Sequence, residues 1–292
     1  MTFARRAAVL PLLALAWGVV PCAAQDAVPG APAPQAVLAP PVLTPQALTP
    51  QEMEDFLLRG KIVGAKGVSK GVTDARRVTL SDGRITHDAQ VQDVDIFKPI
   101  FEVGKNTEVN FRDSYRYNIA AYRLSQLLGL VEVPMSVLRR VDGKPAAVTW
   151  WVDDVAMDEG DRQKKQVLSP NPSRTASYFH ILRVFDELIQ NRDRNAGNLL
   201  WTSDWAMWMI DHTRAFRLGR DLLKPELLDR CERTLLDRMR ALTARTVADT
   251  MGDTLLKAEI DALLARRDRL VKLFDDRIAQ RGEAAVLYTM PR

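Results

Sequence analysis

Asn191-Arg192-Asp193-Arg194-Asn195-Ala196-Gly197-Asn198, followed by Met209-Ile210-Asp211-His212, decides how this 292-residue chain is read. An Asp, an Asn five residues on and a second Asp after a short apolar run form the set that phosphoryl transfer uses. One carboxylate orients the attacking hydroxyl, while an amide oxygen and a second carboxylate hold Mg²⁺ against the phosphates. The separation of Asp193 from Asn198 suits a loop that turns both side chains into one cleft, and Gly197 permits so tight a turn. Trp205-Ala206-Met207-Trp208-Met209-Ile210 reads as a buried strand that ends at Asp211. Two plainer readings stand beside this one. Asp193 can cap a polar turn through the backbone, and Asp211 can be a strand-end acid paired to Arg214. Spacing, order and the preceding strand together favour the chemical reading.

Immediately before the loop, Tyr178, Ile181, Leu182, Phe185, Leu188 and Ile189 form a helical stripe that would hold it rigid. After Asp211 the pattern predicts helices over 223–242 and 253–280. The second turns Ile260, Leu263, Leu264, Leu270, Val271 and Phe274 inward and its arginines and lysines outward. Cys231 follows Leu227-Leu228 at helical spacing and reads as a small core residue.

Upstream the chain is richer in strands. A short helix over 52–58 precedes β-type runs at Lys61-Ile62-Val63, Arg77-Val78-Thr79-Leu80 and Ala89-Gln90-Val91, with a turn at Ser81-Asp82-Gly83. A helix capped by Asp113 or Ser114 then aligns Tyr117, Ala120, Ala121, Leu124, Leu127 and Leu128 and closes at Gly129. Strands are expected at 135–141 and 146–152, joined by Asp142-Gly143-Lys144-Pro145. The expected architecture is α+β and two-lobed. Residues 51–152 make a β-rich lobe with one helix, and 153–292 make a mostly helical lobe carrying the loop.

Arg5-Arg6, an apolar run over 7–20 and small residues at Cys22-Ala23-Ala24 predict a secretory signal peptide over 1–24, hence an exported, periplasmic or secreted protein. Seven prolines over 25–50 predict a disordered tether. Without the leader, Lys plus Arg falls from 41 to 39 against 37 acids, so the net charge drops from +4 to +2. That balance, with no basic block interleaved with aromatics, argues against nucleic acid. Arg76-Arg77, Arg139-Arg140, Lys164-Lys165 and Arg266-Arg267 read as solvated faces. One cysteine, Cys231, remains after cleavage and can form no internal disulfide.

The order of β-rich lobe, helix, helical lobe, Asp193-Arg194-Asn195-x-x-Asn198 and Ile210-Asp211-His212 resembles the protein-kinase-like fold. Its likeness is to the branch of the phosphatidylinositol 3/4-kinases, the HipA-type kinases and the secretory-pathway Golgi kinases. The helix and turn from Asn118 to Pro134 share that likeness. Trp-Met-Ile-Asp-His-Thr-Arg-Ala-Phe also resembles an exported bacterial family. The resemblance implies ATP with Mg²⁺ or Mn²⁺, Asp193 as the catalytic acid, and Asn198 and Asp211 as metal ligands. It places Trp151 and Val152 at the nucleotide hinge, and Gly64, Gly67 and Gly71 in a loop over the phosphates. Register after Asp82-Gly83 puts the phosphate lysine at Gln92 and its glutamate partner at Asn118, so a neutral pair replaces an ion pair. Lys98, in Phe97-Lys98-Pro99, is the neighbouring cation that would substitute. His212 and Arg214 are placed to contact the transferred phosphate, whereas His87 and His180 read as structural or exposed.

Three functions of different class follow, two of them from the resemblance. One is a Mg²⁺-dependent kinase moving a phosphoryl group from ATP to a hydroxyl acceptor. The other is an exported pseudokinase that uses the same cleft for binding or scaffolding. A purely structural envelope protein is the third.

Overall fold

The computed structural model describes residues 48–67, 75–103 and 106–290. The expected signal peptide, all but the end of the tether, and Gly71 lie outside the described residues. The first described element is α1 (Pro50–Arg59), where Thr49 and Glu52 close a reciprocal capping box and proline takes the first turn.

Strands β1 (Lys61–Gly67), β2 (Arg76–Ser81), β3 (Thr86–Gln92), β6 (Ser136–Val141) and β7 (Lys144–Trp150) form an antiparallel sheet in the order β1-β2-β3-β7-β6. Alternation along the strands fixes its two faces. Val78, Leu80, Ala89 and Val91 pack with Phe56 and Leu57 of α1. Arg77, Thr79, Asp88 and Gln90 face the other way. The β6–β7 turn is Asp142-Gly143 alone, both with left-handed φ (52° and 80°), so Lys144 and Pro145 belong to the strand.

The sequence reading missed a hairpin. Among the described residues, strands β4 (Asp95–Val103) and β5 (Asn106–Ser114) pair only with each other. Proline at 99 and a run of charges hid the alternation. Asp113 therefore lies in a strand and does not cap α2 (Arg116–Leu128). The capping position is Tyr115, with no side-chain cap, while Gly129 ends the helix at φ 68° as expected. The β-rich part thus carries α1 as well as α2.

In the second half, β8 (Val155–Asp158), β9 (Leu199–Thr202) and β10 (Met207–Met209) form a small sheet beside α3 (Glu159–Lys164) and α4 (Pro172–Ile189). Trp205 is in a turn at φ 61°, so the strand before Asp211 is shorter than the apolar run suggested. Helix α4 is the central core element, with Ile181, Val184, Phe185, Leu188 and Ile189 fully buried. The stretch 223–242 is not one helix. It contains a short turn of helix at Pro225–Leu227, strand β11 (Cys231–Glu232) and helix α5 (Arg233–Ala241). Pro225 and Glu232, whose carboxylate caps α5, set those breaks. Cys231 is buried as expected, but on a strand parallel to β12 (Leu287–Tyr288), and burial pushes its thiol far up.

Helices α6 (Ala244–Met251), α7 (Lys257–Arg281) and α8 (Glu283–Val286) complete the fold. Two charges on α7 depart from the solvated pattern: Glu259 is buried and takes the Tyr117 hydroxyl, and Arg266 is 0% exposed and donates to the carbonyls of Leu188, Arg217 and Gly219. No helix among the described residues is long and apolar enough to cross a membrane.

Candidate active site

The loop after α4 turns on its asparagines. Asn191 Oδ1 accepts the Asp193 N–H at 3.1 Å, and Asn195 Oδ1 accepts the Gly197 N–H at 2.9 Å. Asp193 is thereby spared the capping role that the plainer reading gave it. Its Oδ1 instead takes Arg214 Nη1 at 2.9 Å, and its side chain is 44% exposed.

Arg194 holds the loop in place. Its Nε and Nη2 grip Asp186 of α4 at 2.9 and 3.0 Å, while Nη1 donates to the carbonyls of Asn198 and Ile210. The Ile210 N–H returns to the Asn198 carbonyl at 3.0 Å. These bonds bring Asn198 and Asp211 side by side, although thirteen positions separate them in the chain. Asp211 has a left-handed φ of 56°, a strained value for a non-glycine residue of the kind that clusters at functional sites. It is not paired to Arg214. Its Oδ1 accepts the Thr213 hydroxyl at 3.1 Å.

Sequence reasoning missed Asp113, at the end of β5. It is buried, and one carboxylate oxygen has no hydrogen-bond partner. Burial, then the charges of Asp211 and Asp193, push its carboxyl above the ordinary range against the opposing hydrogen bond of Thr213 and the charge of Arg214. The signal was present as an acid three positions before a helix, but it mimicked a cap. Glu108 was missed with the same hairpin. It faces Arg214 at 3.3 Å and also pairs with Arg217.

Lys98 pairs with Phe111 across the hairpin, and Ile96 pairs with Asp113. Lys98 and Asp113 therefore share one face. Lys98 is exposed, its Nζ 4.6 Å above the Phe101 ring. Gln92 is buried opposite Ala147. It is Gln90, two residues earlier on the same face, that lines a narrow pocket with Asn118, Ser136, Thr149 and Asp211. Asn118 is placed as expected on the helix facing the site, with its Oδ1 accepting the His212 N–H at 2.8 Å. Trp151 lies just after β7 under the Arg77 guanidinium, 4.3 Å from its ring centroid, and Val152 beside it is buried. Gly64 sits in β1 against Thr79, where a Cβ would touch the threonine.

His212 cannot take the phosphate role. It is 2% exposed, packs edge-on to Phe185, and burial drives its imidazole well below its usual value, leaving it neutral. His87 is structural, stacked on Trp150 and bonded to Asp153 at 2.9 Å.

No three His, Cys, Asp or Glu side chains among the described residues form a ready-made metal cluster. Mg²⁺ does not require one, because it usually keeps waters and takes one or two carboxylates plus substrate phosphates. Asp211, the Asn198 amide and the partnerless oxygen of Asp113 have the oxygen chemistry for such an ion.

No family model matches the chain, and no curated protein matches it by sequence. Solved structures do. A hydra Fam20 structure with sugar aligns at TM-score 0.62 and 14% identity, covering 82% of this chain and 92% of that one. The Golgi casein kinase aligns at TM-score 0.57 and 14% identity, over 82% of this chain and 79% of its own. Its structure with Mn/ADP bound gives the same score and identity. At this identity the likeness defines the fold: mixed α and β, and protein-kinase-like.

Proposed function

We propose that the chain is a Mg²⁺- or Mn²⁺-dependent phosphotransferase that moves a phosphoryl group from ATP to a hydroxyl acceptor. The observation that carries this reading is the freedom of the Asp193 carboxylate from its own turn, beside Asn198, whose carbonyl takes the N–H of Ile210 and so lies next to Asp211 in the fold. Asp193 accepts the acceptor's proton as that oxygen bonds to phosphorus and the bond to the ADP oxygen breaks. Asn198 and Asp211 would hold the metal, with Asp113, whose carboxyl feels the charge of Asp211, a further carboxylate for it. Bound there, the ion would supply charge neutralisation on the phosphates.

Arg214 bears on the same step. Its buried Nε has no acceptor among the described residues, so a donor is left over for an anionic oxygen. Lys98 supplies a second cation from the face it shares with Asp113, and Trp151 with Val152 forms the wall against which the base rests. The neutral Gln90 and Asn118 favour the alternative, a binding or scaffolding pseudokinase, because they put no ion pair beside Asp211.

Thermal unfolding of the chain with ATP and Mg²⁺ or Mn²⁺ separates the two, with Asp211→Ala alongside. Ligand at a hundred times its dissociation constant adds about 2.7 kcal/mol, a rise of about 5–10 °C at this size. A metal-dependent rise absent from Asp211→Ala supports the phosphotransferase. No rise with any nucleotide or metal overturns it and leaves the cleft as a partner surface.

A further inference from the structure

We propose that Glu108 is a positioning residue that fixes Arg214 against Asp193, a role that rests on the phosphotransferase reading above. Arg214 presents its two terminal nitrogens to two carboxylates: Nη1 to Asp193 at 2.9 Å and Nη2 to Glu108 at 3.3 Å. The guanidinium is planar, so anchoring both ends fixes its orientation as well as its distance. The other oxygen of Glu108 meets Arg217, which is 7% exposed and donates through Nη1 to the Asn110 carbonyl at 3.2 Å. Both guanidiniums lie over the Phe111 ring, at 5.0 and 5.4 Å. Asn110 bends β5 at φ 54° beside them.

Without Glu108, two arginines crowded on one ring would keep one carboxylate between them, Asp193 on Arg214. Their mutual repulsion would be unopposed, and Arg217 would be a buried cation without a carboxylate. Arg214 would then lose the orientation in which one nitrogen serves Asp193 and the buried Nε stays available. Glu108 touches neither the nucleotide nor the acceptor in this scheme and acts through Arg214.

The test uses the full chain with Glu108→Gln, which keeps a hydrogen-bonding side chain, and Glu108→Asp, which keeps the charge. First, Glu108→Gln and Asp193→Asn are combined in a double-mutant cycle read by equilibrium unfolding. Residues sharing one partner are expected to be non-additive, by about threefold or more in the folding constant. Effects that simply multiply would overturn the clamp. Second, ATP hydrolysis with Mn²⁺ is measured for each variant. Glu108→Gln is expected to lower kcat by about tenfold or more with KM for ATP within about twofold, and Glu108→Asp to recover most of it. An unchanged kcat, or equal losses in kcat and nucleotide affinity, would overturn the positioning role. A wild-type chain that binds no nucleotide would instead remove the phosphotransferase reading, and the cycle alone would decide whether the clamp exists.

Discussion

Asn118 Oδ1 accepts the His212 N–H at 2.8 Å across 94 residues of sequence, tying α2 to the residue that follows Asp211. Removing the acceptor leaves a buried N–H unpaired, a cost of about 1–3 kcal/mol. Asn118→Ala is expected to lower stability by that amount and to weaken the metal-dependent rise in unfolding temperature. Asn118→Asp keeps an acceptor and should recover part of both. Calorimetry with and without Mn²⁺-ATP checks the pair.

Asp113 makes the opposite kind of contribution. Its folded-state value lies above the unfolded one, so its stabilising contribution is present at low pH and lost as pH rises through the raised value. Asp113→Asn should therefore make the metal-free chain more stable at neutral pH, with the gap closing as pH falls toward about 4. The same substitution should reduce the Mn²⁺-induced rise. Unfolding curves from pH 4 to 8, with and without metal, read both effects.

Burial of His212 has its own signature. Its folded value is depressed, so the folded state takes up a proton later than the unfolded chain. Stability should fall as pH drops below about 6.5, by up to about 1.4 kcal/mol per pH unit from this group. His212→Gln should flatten that slope between pH 6.5 and 5, measured by urea unfolding.

Arg266 serves three carbonyls from inside the core. Arg266→Met is expected to cost at least about 2 kcal/mol, because those acceptors lose their donor out of reach of water. The loss should appear as a lowered urea midpoint. Protection of the amides over 217–219 from hydrogen exchange should fall with it.

The helical stripe of α4, the Asp142-Gly143 turn and the Gly129 stop were legible because each rests on local chemistry: periodicity, or a left-handed residue. Asp193, Asn198 and Asp211 were singled out by spacing and order, and the roles given to them belong to the proposed function. What escaped depended on distant partners. Asp113 resembles a helix cap until β5 is seen to pair with β4, and Arg266 resembles every other surface arginine until the Leu188, Arg217 and Gly219 carbonyls surround it. His212 sits beside a candidate metal acid in sequence, yet the tight backbone there turns its ring into the core against Phe185. Gln90 differed from Gln92 by one strand repeat, a shift that alternation cannot detect because both lie on one face.

The β4–β5 ribbon bonds to no other strand among the described residues, and it is pinned near its base by the Ser114 N–H to Thr213 carbonyl and the Tyr115 N–H to Val94 carbonyl. Lys98 and Asp113 ride on that one ribbon, with Glu108 farther out on the same strand as Asp113. The far half is fastened as well, because Glu108 meets Arg214 and Arg217 and the Asn110 carbonyl accepts from Arg217. A two-stranded ribbon with no sheet behind it is therefore braced at both ends by the short segment 213–217, and that segment carries the mechanical load a neighbouring strand would otherwise take.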